Sequence, residues 1–285
     1  MLVKILGSLT VAAAALAVAP MSHANPIVPS AGFSLSILST CDDCAAGPVN
    51  LGFTADFFGN SYTSLYVDDN GIVTFGASYG SAYNPQTIST IPVPVIAPYY
   101  ADVDTTAAGA VTYGAGLYDS QAAFMVDWTG VGYSTDENDK TDTFQLVIVD
   151  RTDLGAGDFD IYFNYGSMQW DVGDASGGSD GVCSLGSGIP PVAGYSNGSG
   201  SVVQIPGSGT CDALIDGGAD ALDTATNDGV TGQMMFEVVN GVVTAAQNDP
   251  PGGDPVPEPS TAAILTAALA GMLYRRRRQV ACRAK

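Results

Sequence analysis

Between residues 33 and 244 apolar positions alternate with polar ones over short runs, and no long stretch has a helical period. Phe33, Leu35 and Ile37 alternate with Ser34 and Ser36, which predicts an edge strand over Phe33–Leu38. Leu51–Phe58 is apolar and aromatic, and Gly59-Asn60 breaks it. Leu65–Asp69 and Ile72–Phe75 flank Asn70-Gly71, two residues that tolerate positive φ, so a β-hairpin with a type I′ turn is expected. Prolines 92, 94 and 98 within Ile91–Asp104 exclude a central strand at those positions. Ala110–Tyr113, Ala122–Tyr133, Thr141–Arg151 and Phe159–Tyr165 read as strands. In the last, Asp160, Tyr162 and Asn164 interleave with Phe159, Ile161 and Phe163, which predicts one dry face and one wet face. Val202–Ile205 and Met234–Val239 follow, and Asn240-Gly241 turns the chain into Val242–Thr244. The fold class is therefore all-β: a single extracellular, antiparallel, sandwich-like domain with helices only in the terminal segments.

Those terminal segments read as processing signals. Met1–Ala24 has Lys4, an apolar run from Ile5 to Ala19, and small residues Ser22 and Ala24. This is the pattern of a Sec-type signal peptide, cut by signal peptidase between Ala24 and Asn25. At the other end, Pro257, Glu258 and Pro259 lead into the apolar run Thr261–Tyr274, which stops at Arg275, Arg276, Arg277 and Arg278. Fourteen residues make a helix of about 21 Å, shorter than the ~30 Å hydrocarbon core of a bilayer. Length alone would favour a buried helix. The arginine block and the Pro/Gly/Asp-rich linker ahead of the run favour a membrane stop with its basic end in the cytoplasm. Proline-glutamate-proline, hydrophobic segment and arginine cluster together resemble the PEP-CTERM signal, which implies processing by an exosortase and transient anchoring in a bacterial inner membrane. The expected organisation is a signal peptide (1–24), an N-terminal extension (25–50), a β domain (51–240), a linker (241–255), a sorting signal (256–279) and a cytoplasmic tail (280–285).

Removing both ends changes the charge. The only histidine, His23, leaves with the signal peptide. Of nine basic residues only Lys140 and Arg151 remain, against 28 of the 29 acids, which gives a net charge near −26. Such a surface repels nucleic acid. Histidine triads, histidine bases and histidine metal sites are excluded. Paired carboxylates could still hydrolyse glycosides, but with so many acids pairs arise by chance. Asp104-Thr105-Thr106 and Asp127-Trp128-Thr129 both miss the Asp-Thr/Ser-Gly of an aspartic protease. The domain is expected not to be an enzyme.

Cys183 and Cys211 bracket a Gly/Ser/Pro-rich loop of 27 residues. In an oxidising compartment they should form a disulfide that stabilises the fold by roughly 3 kcal/mol. Cys41-Asp42-Asp43-Cys44 has redox spacing, but no βαβ unit follows it. Two adjacent acids would also raise the thiol pKa values, so a structural disulfide is preferred over redox or metal chemistry. No cofactor is required, although calcium is a candidate ligand. Asp102 and Asp104 end one strand-like segment, and Asp171, Asp174 and Asp180 lie in a Gly-rich loop, but neither group has the full EF-hand pattern. Tyr99, Tyr100, Tyr133 or Trp170 gathered on one face would suit contact with a sugar or a protein. For Trp128 and Trp170 core packing is the preferred expectation.

The order of segments resembles the NIDO domain, the extracellular module of nidogen and alpha-tectorin. Leu65–Phe75, Val95–Thr105, Phe124–Tyr133, Asp142–Asp150, Phe159–Trp170, Val192–Gly198 and Ile205–Thr210 carry the likeness, and Met234–Val239 would close it. The cysteine pair 183/211 with its Gly-rich insertion departs from it. The resemblance implies a β-rich, non-catalytic module of cell–matrix adhesion whose partner is a matrix protein or an extracellular polysaccharide. The competing readings are a calcium-stabilised structural protein without a specific ligand and an acidic hydrolase.

Overall fold

The computed structural model describes residues 26–79, 87–183 and 188–245. The cleavage site Ala24/Asn25, the sorting motif and the anchor with its arginines lie outside these residues. In chain order the strands are β1 (Ser36–Ile37), β2 (Ala45–Phe57), β3 (Asn60–Asp68), β4 (Val73–Thr74), β5 (Val95–Tyr100), β6 (Val103–Asp104) and β7 (Ala110–Tyr118). They continue with β8 (Gln121–Tyr133), β9 (Glu137–Asp150), β10 (Phe159–Met168), β11 (Val192–Ser196), β12 (Val202–Gln204), β13 (Gln233–Val239) and β14 (Val242–Ala245). One sheet runs β1-β7-β8-β9-β10-β13-β14, with β6 beside β8, and the other runs β12-β11-β5-β4-β3-β2. All strand pairs are antiparallel.

The two sheets bury their facing sides against each other, as alternation requires of a sandwich. Phe124, Val126 and Trp128 of β8, Phe144, Leu146 and Ile148 of β9, and Phe159, Ile161 and Phe163 of β10 meet Leu51, Phe57, Leu65, Val67, Val73 and Ile96 of the second sheet. Trp128 stacks on Phe144 with ring centroids 4.9 Å apart.

Several register irregularities break the simple alternation, and three β-bulges among them bear on the core. On β5 the register slips opposite Val192/Gly194, on β8 beyond Trp128, and on β10 beyond Tyr165. Each adds a residue and switches which parity faces the core. The β5 bulge also corrects the expectation for Pro98. This residue lies in an interior strand, at the irregular stretch where the ladder to β11 needs no regular N–H. Beyond that bulge Tyr99 joins the main core and Tyr100 a smaller one on the outer face.

The expected wet face of β10 is dry, because a second layer covers it. Val28, Phe33 and Leu35 pack near Met125, Val147, Tyr162 and Met235 on the outer side of the larger sheet. Beneath them a buried polar ladder crosses four strands. Gln145 Nε2 donates to Asp127 Oδ1 at 2.6 Å, Asn164 Nδ2 to Gln145 Oε1 at 2.7 Å, and Gln233 Nε2 to Asn164 Oδ1 at 2.6 Å. The backbone N–H of Val28 donates to Gln145 Oε1 and its carbonyl accepts from Gln145 Nε2, both at 3.0 Å. Residues 26–50, expected as an extension, are thus built into the sandwich: β1 edges the larger sheet and β2 edges the smaller. Residues 242–245, expected in the linker, form β14 on β13.

Both Asn-Gly turns form, with different geometry. Asn240 and Gly241 have φ of 51° and 75°, as a type I′ turn requires. Around Asn70 only Gly71 is left-handed, at φ 78°, and Val67 pairs with Val73. The turn is therefore a longer loop with glycine at its left-handed position, not the expected two-residue I′ turn.

Candidate functional site

Asn70 has a different task from that of a turn residue, and it organises the acidic end of the sandwich. Its side chain is buried; Oδ1 accepts the N–H of Val103 at 2.8 Å and Nδ2 donates to Asp43 Oδ1 at 3.0 Å. The carbonyl of Asn70 accepts the N–H of Ala101. This one residue ties the β3–β4 loop to the Cys41–Cys44 segment and to the connection between β5 and β6. The connection places Asp102 and Asp104, and the cysteine segment places Asp42 and Asp43.

Cys41 and Cys44 are joined by a disulfide with Cα atoms 6.1 Å apart. Asp42 and Asp43 form the loop that it closes, with Asp43 in the left-handed region at φ 60°. Carboxylate oxygens of Asp42, Asp43 and Asp102 all lie within 4.8 Å of one another. They line an open recess of about 320 Å³ with Ser134, Thr135 and Ala175. Asp102 is 2 % exposed; its Oδ2 accepts Ser176 Oγ at 3.0 Å, while its Oδ1 has no hydrogen-bond partner. Burial, aided by the neighbouring carboxylates Asp104, Asp43 and Asp136, pushes Asp42 up to about 6. Burial likewise raises Asp102 to about 7, against the hydrogen bond from Ser176. Nearby, burial pushes the adjacent carboxyls of Asp68 and Asp69 well above the usual range, with the charge of Asp43 adding to the rise at Asp68 and that of Asp68 to the rise at Asp69.

The other calcium candidates stand apart from this trio. Asp104 is occupied as a turn cap: Oδ1 accepts the N–H and hydroxyl of Thr106, and Oδ2 the N–H of Asp136. Asp171 is buried, Oδ2 accepts the N–H of Asp212 at 2.6 Å, and burial raises its carboxyl to about 6. Asp174 is exposed at the start of a short 3-10 turn over Asp174–Ser176. Asp42 and Asp43 were not among the residues expected. Their adjacency to Cys41 and Cys44 was the available signal, but nothing local indicates that the clasp folds against Asp102, sixty residues away.

The four aromatics do not gather on an accessible face. Tyr99, Tyr100, Tyr133 and Trp170 are all essentially inaccessible, and no aromatic side chain among the described residues is fully exposed. Tyr99 donates to the carbonyl of Trp170 at 2.7 Å, and Trp170 Nε1 to the carbonyl of Val131 at 3.1 Å, so both polar tips are satisfied inside. Trp128 and Trp170 are core residues.

Two further recesses open on the surface. One of about 100 Å³ is bordered by Tyr118, Gln121, Arg151, Asp153, Asp160 and Tyr162, and in it Arg151 Nη1 donates to Asp160 at 2.7 Å. It is smaller than the ~300 Å³ at which small-molecule sites begin. The other, of about 310 Å³, lies between Ile205, Pro206, Ala221 and Met234. Among the described residues no helix is long and apolar enough to cross a membrane.

The model of the PEP-CTERM protein-sorting motif matches residues 255–278. Alpha-tectorin of Mus musculus is 28% identical over 221 residues, covering 69% of this chain and 10% of the relative. Alpha-tectorin of Homo sapiens gives the same figures. Nidogen of Drosophila melanogaster is 27% identical over 216 residues, covering 64% of this chain and 14% of the relative. The chain thus spans between about a tenth and a seventh of the length of these curated relatives. No solved structure matches. The NIDO related family model covers residues 21–190, more than half of the chain, and this protein belongs to that family.

Proposed function

We propose that this protein is exported, held briefly in the inner membrane by its C-terminal segment, cut by an exosortase, and then serves at the cell surface or in the matrix, where its NIDO-related domain mediates cell–matrix or biofilm adhesion. The observation that carries this reading is the presence in one chain of a NIDO related domain and a PEP-CTERM sorting motif. The first is shared with alpha-tectorin and nidogen, and the second addresses the chain to an exosortase. The two disulfides suit an oxidising destination. The partner would be an extracellular polysaccharide or a matrix protein, and the role is non-catalytic. A nucleic-acid partner conflicts with the charge of the domain, which keeps only Lys140 and Arg151 as cations, both already paired with aspartates.

Deleting residues 26–245 while keeping both terminal signals tests the adhesive role. Biofilm cohesion should fall, and unchanged cohesion would overturn the reading. Fractionating cells with and without the exosortase tests the route: the domain should leave the inner membrane only when the exosortase is active.

A further inference from the structure

We propose that Asp42, Asp43 and Asp102 form a binding site for a divalent cation of the calcium type, which locks the N-terminal disulfide clasp onto the sandwich. This inference is independent of the adhesive reading.

Two oxygens that each lie about 2.4 Å from one ion can be no more than about 4.8 Å apart. Carboxylate oxygens of all three residues meet that limit without any rearrangement. A second observation comes from Asp102 alone. A carboxylate oxygen that is buried and unpaired is costly, and in folded proteins such atoms are rarely left so. Asp102 Oδ1 is in that condition, on a residue that lines the recess between Asp42 and Ser134. No basic side chain among the described residues borders the recess. Lys140 donates to Asp139 and to the carbonyl of Asp180, and Arg151 to Asp153 and Asp160. Among the described residues, then, none supplies a counter-charge here.

The donor set selects the ion. All three ligands are carboxylates, the neighbouring cysteines are consumed in their disulfide, and the mature domain has no histidine, so soft and borderline metals lack their preferred donors. The recess of about 320 Å³ has room for several waters, each needing roughly 30 Å³, which would complete the six to eight oxygens that calcium takes. Magnesium dehydrates reluctantly and is usually held by only one or two carboxylates, so a cluster of three favours calcium. An extracellular site of this openness should bind in the range of about 10⁻⁴–10⁻³ M.

The test is calorimetric titration of the full chain with CaCl₂ and with MgCl₂, with melting followed in EDTA and in 5 mM calcium. One saturable calcium site is expected, with little response to magnesium and a rise in Tm of about 2–9 °C. The variant carrying Asp42→Asn and Asp43→Asn should bind calcium at least tenfold more weakly and lose the Tm response. Because both residues reach solvent, its Tm in EDTA should equal or exceed that of the parent. Asp102→Asn should behave likewise in calcium. A parent protein with no calcium heat and no Tm response would overturn the proposal, as would a double variant that responds as the parent does.

Discussion

The indole N–H of Trp128 donates to the carbonyl of Asp69 at 2.9 Å, with the carbonyl of Asp68 at 3.2 Å. A tryptophan from the middle of the larger sheet thereby reaches across the core and fixes the turn of the smaller one. That turn carries Asn70, which in turn sets Asp43 and the Asp102 segment. The core and the acidic recess are therefore one mechanical unit.

Trp128→Phe keeps an aromatic ring against Phe144 but leaves both carbonyls without this donor. Stability should fall by about 1–3 kcal/mol, from the unsatisfied buried groups and the smaller ring. Urea denaturation would measure it; a loss below about 0.5 kcal/mol would mean that the hydrogen bond is incidental.

Asp142 predicts an unusual pH dependence. It is fully buried, Oδ1 accepts the N–H groups of Gln169 and Trp170, and burial holds its carboxyl well above the usual range. The folded state keeps a proton that the unfolded chain releases near pH 3.9. Its contribution is complete below that pH and is lost as pH rises toward the folded value, by up to about 1.4 kcal/mol per pH unit. Asp142→Asn keeps an acceptor oxygen and removes this slope. The variant should gain stability relative to the parent between pH 4.5 and pH 8; parallel stability–pH curves would refute the assignment.

Gln145 stands at the centre of the ladder that joins four strands to Val28. Gln145→Ala strips hydrogen bonds from Asp127, Asn164 and the backbone of Val28 at once. A loss of about 2–4 kcal/mol is expected, with hydrogen exchange accelerated first around residue 28. Exchange unchanged there would show that the N-terminal segment is held by its apolar contacts alone.

Gly71→Ala should be among the most damaging single-methyl changes. Gly71 has φ 78°, and an added Cβ would fall on the carbonyl oxygen of Tyr99. Backbone must move at both places, so a loss of more than about 2 kcal/mol is expected by thermal melting. Gly59→Ala makes the control, because its φ is also 78° but the space around it is open.

The all-β class, most strand positions, both disulfides and the family resemblance were legible along the chain, because each rests on local alternation or on short motifs. The limits of that reading appear at single residues. The dipeptide Asn-Gly occurs at 70–71 and at 240–241, yet only the second forms the two-residue turn. Asn70 adopts another geometry because Val103 and Asp43 engage its side chain, and neither is a sequence neighbour. Pro98 entered an interior strand because a bulge relieved it of a ladder bond, and a bulge shows in the sequence only as a slip in the phase of alternation, which does not say which ladder bond is lost.

Alternation by itself thus determined the all-β class and most of the strands, but not β5, β6 or β11. Charge and cysteine usage bounded the chemistry to carboxylates in an oxidising compartment. Tertiary structure decided what covers the outer faces, since the segment around Val28 finds Gln145 only after the sheet exists. It also decided which aspartates meet. Asp42 and Asp43 come from the cysteine clasp and Asp102 from the far end of β5, so their convergence depends on how the sheets pack, and pairwise spacing in the chain does not encode it.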